Sequence, residues 1–304
     1  MTTGERLLVV GDVVNDIIVR APAATSYATD NPAEITRAFG GSGANQAAWA
    51  ARLGGDVTFV GRAGAADVDT QIEQLERVGA QARIVADPDH PTGVIVVVVD
   101  GTGERTMYVD RGANEHLTEA DVPDELVERA GAVHLSGYLF FTERGRAVAR
   151  SVLDRARRRG LRTSVDPGSA YHLRRVGPEA FLSWTAGMRL CLPNEAEAEL
   201  LAGGAHGPAA HDRLRAAYPA VVVKRGARGA TVLDGAADAV DVEPSRAVTA
   251  LDTTGAGDAF AGALLSRLGR GWTLPEAAVF AVENAAAAVR RLGARPSPEP
   301  VERG

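Results

Sequence analysis

Short aliphatic runs alternate along the chain with longer stretches whose apolar positions recur at helical spacing. Leu7–Val10, Val57–Val60, Val94–Val99, Ala132–Leu135, Thr163–Val165, Arg189–Leu192 and Ala220–Val223 are predicted strands. Asn45–Leu53, Asp67–Val78, Arg144–Arg159 and Glu195–Leu201 are predicted amphipathic helices. Several strands are apolar at every position, which calls for cover on both faces. The βαβα alternation therefore predicts a mostly parallel central sheet with helices on both sides.

One segment departs from that rhythm. Val94–Val99, the loop Asp100-Gly101-Thr102-Gly103 and Arg105–Asp110 form a hairpin pattern. With Ile17–Arg20 and Ile35–Phe39 it is expected to build a small second sheet, acting either as a lid over a site or as a homodimer surface. No repeat or linker divides the chain, so a single domain over residues 1–304 is expected, with lid segments at about 13–39 and 93–111.

Composition narrows the classes. Hydrophobic content of 45% and charged content of 24% are those of an ordinary globular protein, while aromatic content of 5% points to an aliphatic core. A net charge of −6 gives no support for nucleic-acid or anionic-membrane binding. Cys191 has no cysteine to pair with and lies in an apolar run, so a buried thiol is expected. Together with the lack of a long apolar run, this predicts a cytoplasmic protein.

The candidate chemistry follows the strands. Gly11-Asp12, Ser136-Gly137, Asp166-Pro167, Asn194-Glu195 and Lys224-Arg225-Gly226 each come directly after an aliphatic run. In an open parallel sheet these clusters gather at the carboxyl edge, where ligands bind. The most informative run is Asp252-Thr253-Thr254-Gly255-Ala256-Gly257-Asp258-Ala259-Phe260, leading into a helix with Phe260, Leu264 and Leu268 on one face. Gly255, Ala256 and Gly257 would open backbone N–H groups to an anion at a helix N-terminus. Asp258 beside them would accept a proton from a hydroxyl. No Walker-type run occurs, and Gly40-Gly41-Ser42-Gly43-Ala44-Asn45-Gln46-Ala47 follows too weak a strand for a dinucleotide fingerprint.

These two motifs resemble the C-terminal and N-terminal signatures of the ribokinase-like (PfkB) carbohydrate kinases, and the resemblance covers nearly the whole chain. It implies a ribokinase-like α/β fold and transfer of the γ-phosphoryl group of ATP to a hydroxyl of a sugar or sugar derivative. Asp258 would be the base, and Gly255-Ala256-Gly257 the anion hole. Asp12, Asp16, Gly40, Gly41, Ser42 and Asn45 would bind the acceptor. Asn194 and Glu197 match the family's Asn-x-x-Glu element, which organises Mg²⁺ through water. Lys224, Gly226 and Gly229 would run along the nucleotide, in a segment that also reads as a β-turn before Ala230–Leu233. Asn284 would lie on the adenine side, and Asp252, Thr254, Gly293 and Ser297 would hold a monovalent cation such as K⁺.

The sugar-reading positions depart from subfamily patterns. Val14 and Ser42 stand where a ribose kinase carries Asn and Lys, and Asp166-Pro167-Gly168-Ser169-Ala170 replaces Asp-x-Asn-x-Arg. The acceptor therefore stays open between a sugar and a nucleoside, and a non-catalytic sugar sensor is a third class. Arg105 and Arg111 share one face of their strand with Tyr108 on the other; one Arg either meets a polar or anionic substrate group or serves solubility. His134 is expected to be a satisfied core residue, and Arg155 with Arg157–Arg159 an exposed helix face.

Overall fold

A computed structural model describes residues 4–21, 26–101 and 105–297, with Arg105 described as backbone only. Among them the strands are β1 (Leu7–Val10), β2 (Val14–Arg20), β3 (Glu34–Gly40), β4 (Val57–Gly64), β5 (Gln81–Asp87), β6 (Thr92–Val99) and β7 (Arg105–Gly112). They continue as β8 (Ala132–Ser136), β9 (Arg162–Asp166), β10 (Leu190–Cys191), β11 (Ala220–Lys224), β12 (Ala230–Asp234) and β13 (Val240–Val242). The helices are α1 (Ser42–Arg52), α2 (Val68–Glu76), α3 (Asp124–Glu128), α4 (Glu143–Arg158) and α5 (Ala170–Val176). Then follow α6 (Pro178–Trp184), α7 (Glu195–Leu201), α8 (Gly207–Ala217), α9 (Ala256–Leu268) and α10 (Leu274–Ala288).

The main sheet has the order β13-β12-β11-β10-β9-β8-β1-β4-β5. It is parallel from β5 to β11, and β12 and β13 add antiparallel at one edge. Strand alternation divides the core in two. Leu7 and Val9 join Ala-rich α1 with α9 and α10 on one face, while Leu8 and Val10 join Val148, Val152 and Leu153 of α4 on the other. This is the two-sided cover that continuous apolar strands require.

β5 and β13 were not legible as strands. β5 reads Gln-Ala-Arg-Ile-Val-Ala-Asp with Ala82 and Ile84 buried and Gln81 and Arg83 exposed, because an edge strand covered on one face keeps polar residues on the other; Asp87 at its end is buried in an ion pair with Arg62. The second sheet has the order β3-β2-β6-β7, and the expected hairpin pairs Val99 with Arg105. The hairpin residues Thr102 and Gly103 lie outside the described residues. Cys191 is fully buried, as its apolar run implied. Arg155 departs from expectation: it turns inward, and its Nη1 donates to the Val122 carbonyl at 2.6 Å and to Asp124 at 2.8 Å. Only Arg157, Arg158 and Arg159 form an exposed end.

Candidate active site

The carboxyl ends of β1, β9 and β11 open into a cleft of about 810 Å³, bounded by the N-termini of α1, α7 and α9. The small sheet faces it with Ile95, Val97, Met107, Val109 and Arg111. These are alternate positions of β6 and β7, as strand geometry demands, and Tyr108 points away with 64% exposure.

Gly255 enters α9 with φ +73°, and a Cβ there would meet Ala294 at 2.6 Å. Both conditions select glycine. Gly255, Ala256 and Gly257 line the cleft, so the positive end of a 13-residue helix faces it. Asp258 sits on the first turn. Its Oδ1 accepts from Ser42 Oγ at 2.8 Å and Gln46 Nε2 at 3.1 Å, and its Oδ2 accepts from Asn45 Nδ2 at 3.0 Å. Burial pushes its carboxyl up to about 7, with the Asn45 hydrogen bond opposing and Asp166 reinforcing. A carboxylate with that midpoint is divided between charged and neutral forms near physiological pH, which suits a proton acceptor.

Asp12 caps α1. It accepts from the Ser42 and Gly43 amides at 3.0 and 3.2 Å and from Ser136 Oγ at 2.9 Å. A Cβ on Gly43 would meet Gly11 Cα at 2.7 Å, so the close approach of β1 to this helix end depends on glycine. Arg111 Nη1 lies 4.0 Å from Asp12 Oδ2, and its guanidinium stacks 4.5 Å over the Tyr138 ring. Asp16 lines the cleft next to Gly40 and Gly41. Burial raises its carboxyl to about 6, against the opposing charge of Arg295 and with that of Asp12.

Across the cleft, Asn194 and Glu197 form a reciprocal cap on α7, with amide-to-side-chain distances of 2.8 and 2.9 Å. Burial pushes Glu197 up to about 7, Lys224 working against this and Asp166 with it. Lys224 Nζ donates to Asp166 Oδ2 at 2.5 Å. Burial alone would lower Lys224, but Asp166 and Glu197 outweigh it and hold the ammonium charged. Glu197, Asn194 and a positively charged lysine on one wall are hard oxygen donors and a phosphate partner, a set that fits Mg²⁺ with a nucleotide polyphosphate.

The other expected residues separate by position. Asp252 joins two loops, accepting from the Thr254 amide at 2.9 Å and the Gly293 amide at 3.0 Å. Thr254 lines the cleft, and the Ser297 carbonyl accepts from Arg52 at 3.2 Å. Gly226 and Gly229 occupy the turn between β11 and β12, both with positive φ, so the turn pattern is realised. Asn284 Nδ2 bonds the Phe280 carbonyl within α10, at 2.8 Å, and is not among the residues lining the cleft.

Three features were not assigned from the sequence. Asp166, placed at the carboxyl edge by the pattern, pairs with Lys224; Arg295 reaches the Gly40 carbonyl at 2.8 Å and Asn45 Oδ1 at 3.3 Å; and Tyr138, Tyr171 and His172 line the cleft. Only Asp166 carried a signal, its place at the end of an apolar strand; Tyr138, Tyr171, His172 and Arg295 lie in turns, a helix and a loop, where no strand period marks them. His134 is, as expected, a fully buried histidine with both ring nitrogens bonded.

A parallel sheet carrying a small sheet over its carboxyl edge, with an aspartate at a glycine-opened helix N-terminus, is the ribokinase-like architecture. The model of the pfkB family carbohydrate kinases matches residues 5–301, and the chain belongs to that family, whose members are phosphotransferases with an alcohol group as acceptor. It is 30% identical to a ribokinase of Mus musculus over 269 residues, 85% of this chain and 80% of that protein. A probable sugar kinase from Rhizobium etli superposes with TM-score 0.86 at 26% identity, over 97% of this chain and 96% of the other. Arabidopsis thaliana ribokinase complexed with ribose and ATP gives TM-score 0.79 at 26% identity, covering 97% and 96%. Among the described residues no helix is long and apolar enough to cross a membrane.

Proposed function

We propose that the chain transfers the γ-phosphoryl group of ATP to a hydroxyl of a sugar or sugar derivative, with Asp258 as general base. The observation carrying this reading is a half-buried, largely desolvated carboxylate with a midpoint of about 7 on the first turn of a helix whose N-terminus opens into the cleft. Asp258 takes the proton of the attacking hydroxyl as its oxygen bonds to the γ-phosphorus and the bond from that phosphorus to the bridging oxygen breaks, releasing ADP; the backbone amides at Gly255-Ala256-Gly257 receive the charge that builds on the transferring group. Lys224 and Asn194 hold the polyphosphate. Mg²⁺, held through water by Glu197, would supply charge neutralisation on the phosphates when bound. Asp252, which joins the Thr254 and Gly293 loops, would hold a monovalent cation such as K⁺ together with Thr254, Gly293 and Ser297.

Asp16, Asn45, Ser42, Gly40 and Gly41, with Asp12 behind them, form the acceptor end. Arg111 gives that end a positive group facing the cleft, which favours an acceptor bearing a carboxylate or another polar substituent. A nucleoside acceptor is the second reading, favoured by Tyr138, Tyr171 and His172, which give the cleft aromatic surface despite the low aromatic content. The small sheet would close over bound substrates. Its Ile35 and Tyr108, 63% and 64% exposed, offer apolar surface to a second copy of the chain. ADP release from Mg·ATP, with K⁺ present, across pentoses, hexoses, sugar acids and nucleosides tests the function. Turnover with one class, lost in Asp258→Asn, supports it; tight binding without any turnover would favour a sensor.

A further inference from the structure

Gln46 is fully buried where α1 crosses the sheet. Val133, Leu135 and Val165 of β8 and β9 point into the opposite core, so the alternate residues His134, Ser136, Ser164 and Asp166 face the α1 side. The Gln46 amide nitrogen lies 3.1 Å from Asp258 Oδ1, 3.2 Å from Asp166 Oδ2 and 3.0 Å from Ser42 Oγ. Its carbonyl oxygen lies 2.9 Å from His134 Nε2, and His134 Nδ1 lies 2.8 Å from Ser164 Oγ.

Proton accounting gives this chain one satisfied arrangement. An amide nitrogen carries two hydrogens, and an ionised carboxylate only accepts. The nitrogen must therefore face Asp258 and Asp166, which leaves the carbonyl facing His134. The imidazole must then present a hydrogen on Nε2. Burial and the nearby Lys224 push His134 down to about 3, so the ring is neutral and Nδ1 accepts from the Ser164 hydroxyl. Reversing the amide would set a carbonyl oxygen against two carboxylates.

We infer that Gln46 is a positioning residue for Asp258: its amide bridges the Asp258 and Asp166 carboxylates, and His134 locks the amide in the orientation that donates to them. Asp258 faces Asp166 of β9, which disfavours its charge, and Lys224 of β11, which favours it; Ser42, Asn45 and Gln46 of α1 donate to it. Glu197 of α7 acts on the same Lys224. Gln46 offsets the repulsion between Asp258 and Asp166 at the point where they come together. The inference rests on Asp258 being the base.

The test is the pH profile of kcat for wild type, Gln46→Met, His134→Leu and His134→Gln. Removing a hydrogen bond to a charged group should move the midpoint of the acidic limb upward by about one pH unit. Gln46→Met is then roughly tenfold slower than wild type at pH 6 and approaches it by pH 9. His134→Leu shifts in the same direction, and His134→Gln, which keeps an N–H toward Gln46, returns toward wild type. A side chain that merely fills space would lower the plateau without moving the midpoint. An unmoved midpoint in Gln46→Met overturns the inference; should that variant not fold, an unmoved midpoint in His134→Leu does the same. Asp258→Asn with wild-type kcat would remove the base itself. An inactive Asp258→Asn beside an unmoved Gln46→Met midpoint would remove only the positioning role.

Discussion

Replacing Asp258 with Asn separates chemistry from binding in this cleft. The substitution keeps volume and one acceptor oxygen but turns the other into a donor facing Ser42, Gln46 or Asn45, which now hold the carboxylate at 2.8–3.1 Å. With a midpoint of about 7, the wild-type carboxyl is roughly nine-tenths ionised at pH 8, so an assay there measures the base rather than its protonation. The active form is the deprotonated one, so wild-type kcat rises with pH through about 7. General-base assistance is worth about 10²–10⁴-fold, or about 3–5 kcal/mol in the barrier, and kcat of Asp258→Asn should fall by that factor. Nucleotide affinity should change by less than about fivefold, since the lost charge sits at a helix N-terminus where the incoming phosphates are also negative. Coupled ADP release at saturating acceptor gives kcat, calorimetric titration with a non-hydrolysable ATP analogue gives Kd, and circular dichroism checks the fold. A folded Asp258→Asn retaining kcat within about tenfold of wild type would refute the general-base argument.

Lys224→Met leaves the Asp166 carboxylate buried without its cation and should cost about 3–5 kcal/mol in urea unfolding at pH 8, with weaker ATP binding; unchanged stability would show that the pair is not held as described. Gly255→Ala forces a side chain into a backbone at φ +73° and against Ala294, so about 1–3 kcal/mol of stability should be lost along with the anion site. A variant of wild-type stability and kcat would mean that the turn tolerates a Cβ. Arg111→Ala should raise KM for a sugar-acid acceptor by about tenfold to a hundredfold while leaving neutral acceptors within about threefold, read from initial rates. Equal effects on both would assign Arg111 to holding Asp12 and Tyr138.

Much of the architecture was legible because burial on two faces leaves its mark on sequence. β1 is predicted residue for residue, and α7 coincides with its periodic stretch. β5 was hidden because its alternation belongs to a half-covered edge, and β13 because three residues make too short a pattern. At the site, Gly255 and Gly257 announced a helix opening toward an anion. Arg155 misled because a cationic helix face looks the same in sequence whether it meets solvent or another helix's first turn.

By itself the sequence determined the layered sheet, the small second sheet and the glycine-opened helix start, since each follows from local period and backbone freedom. Only tertiary structure decided how Asp258 is held. Ser42, Asn45 and Gln46 stand more than 200 positions away from it, and Asp166 and Lys224 come from two further strands. The pairing of those charges and the burial that raises Asp258 depend on how α1 and α9 pack across the carboxyl edge, and no local pattern encodes a distance between segments so far apart in the chain.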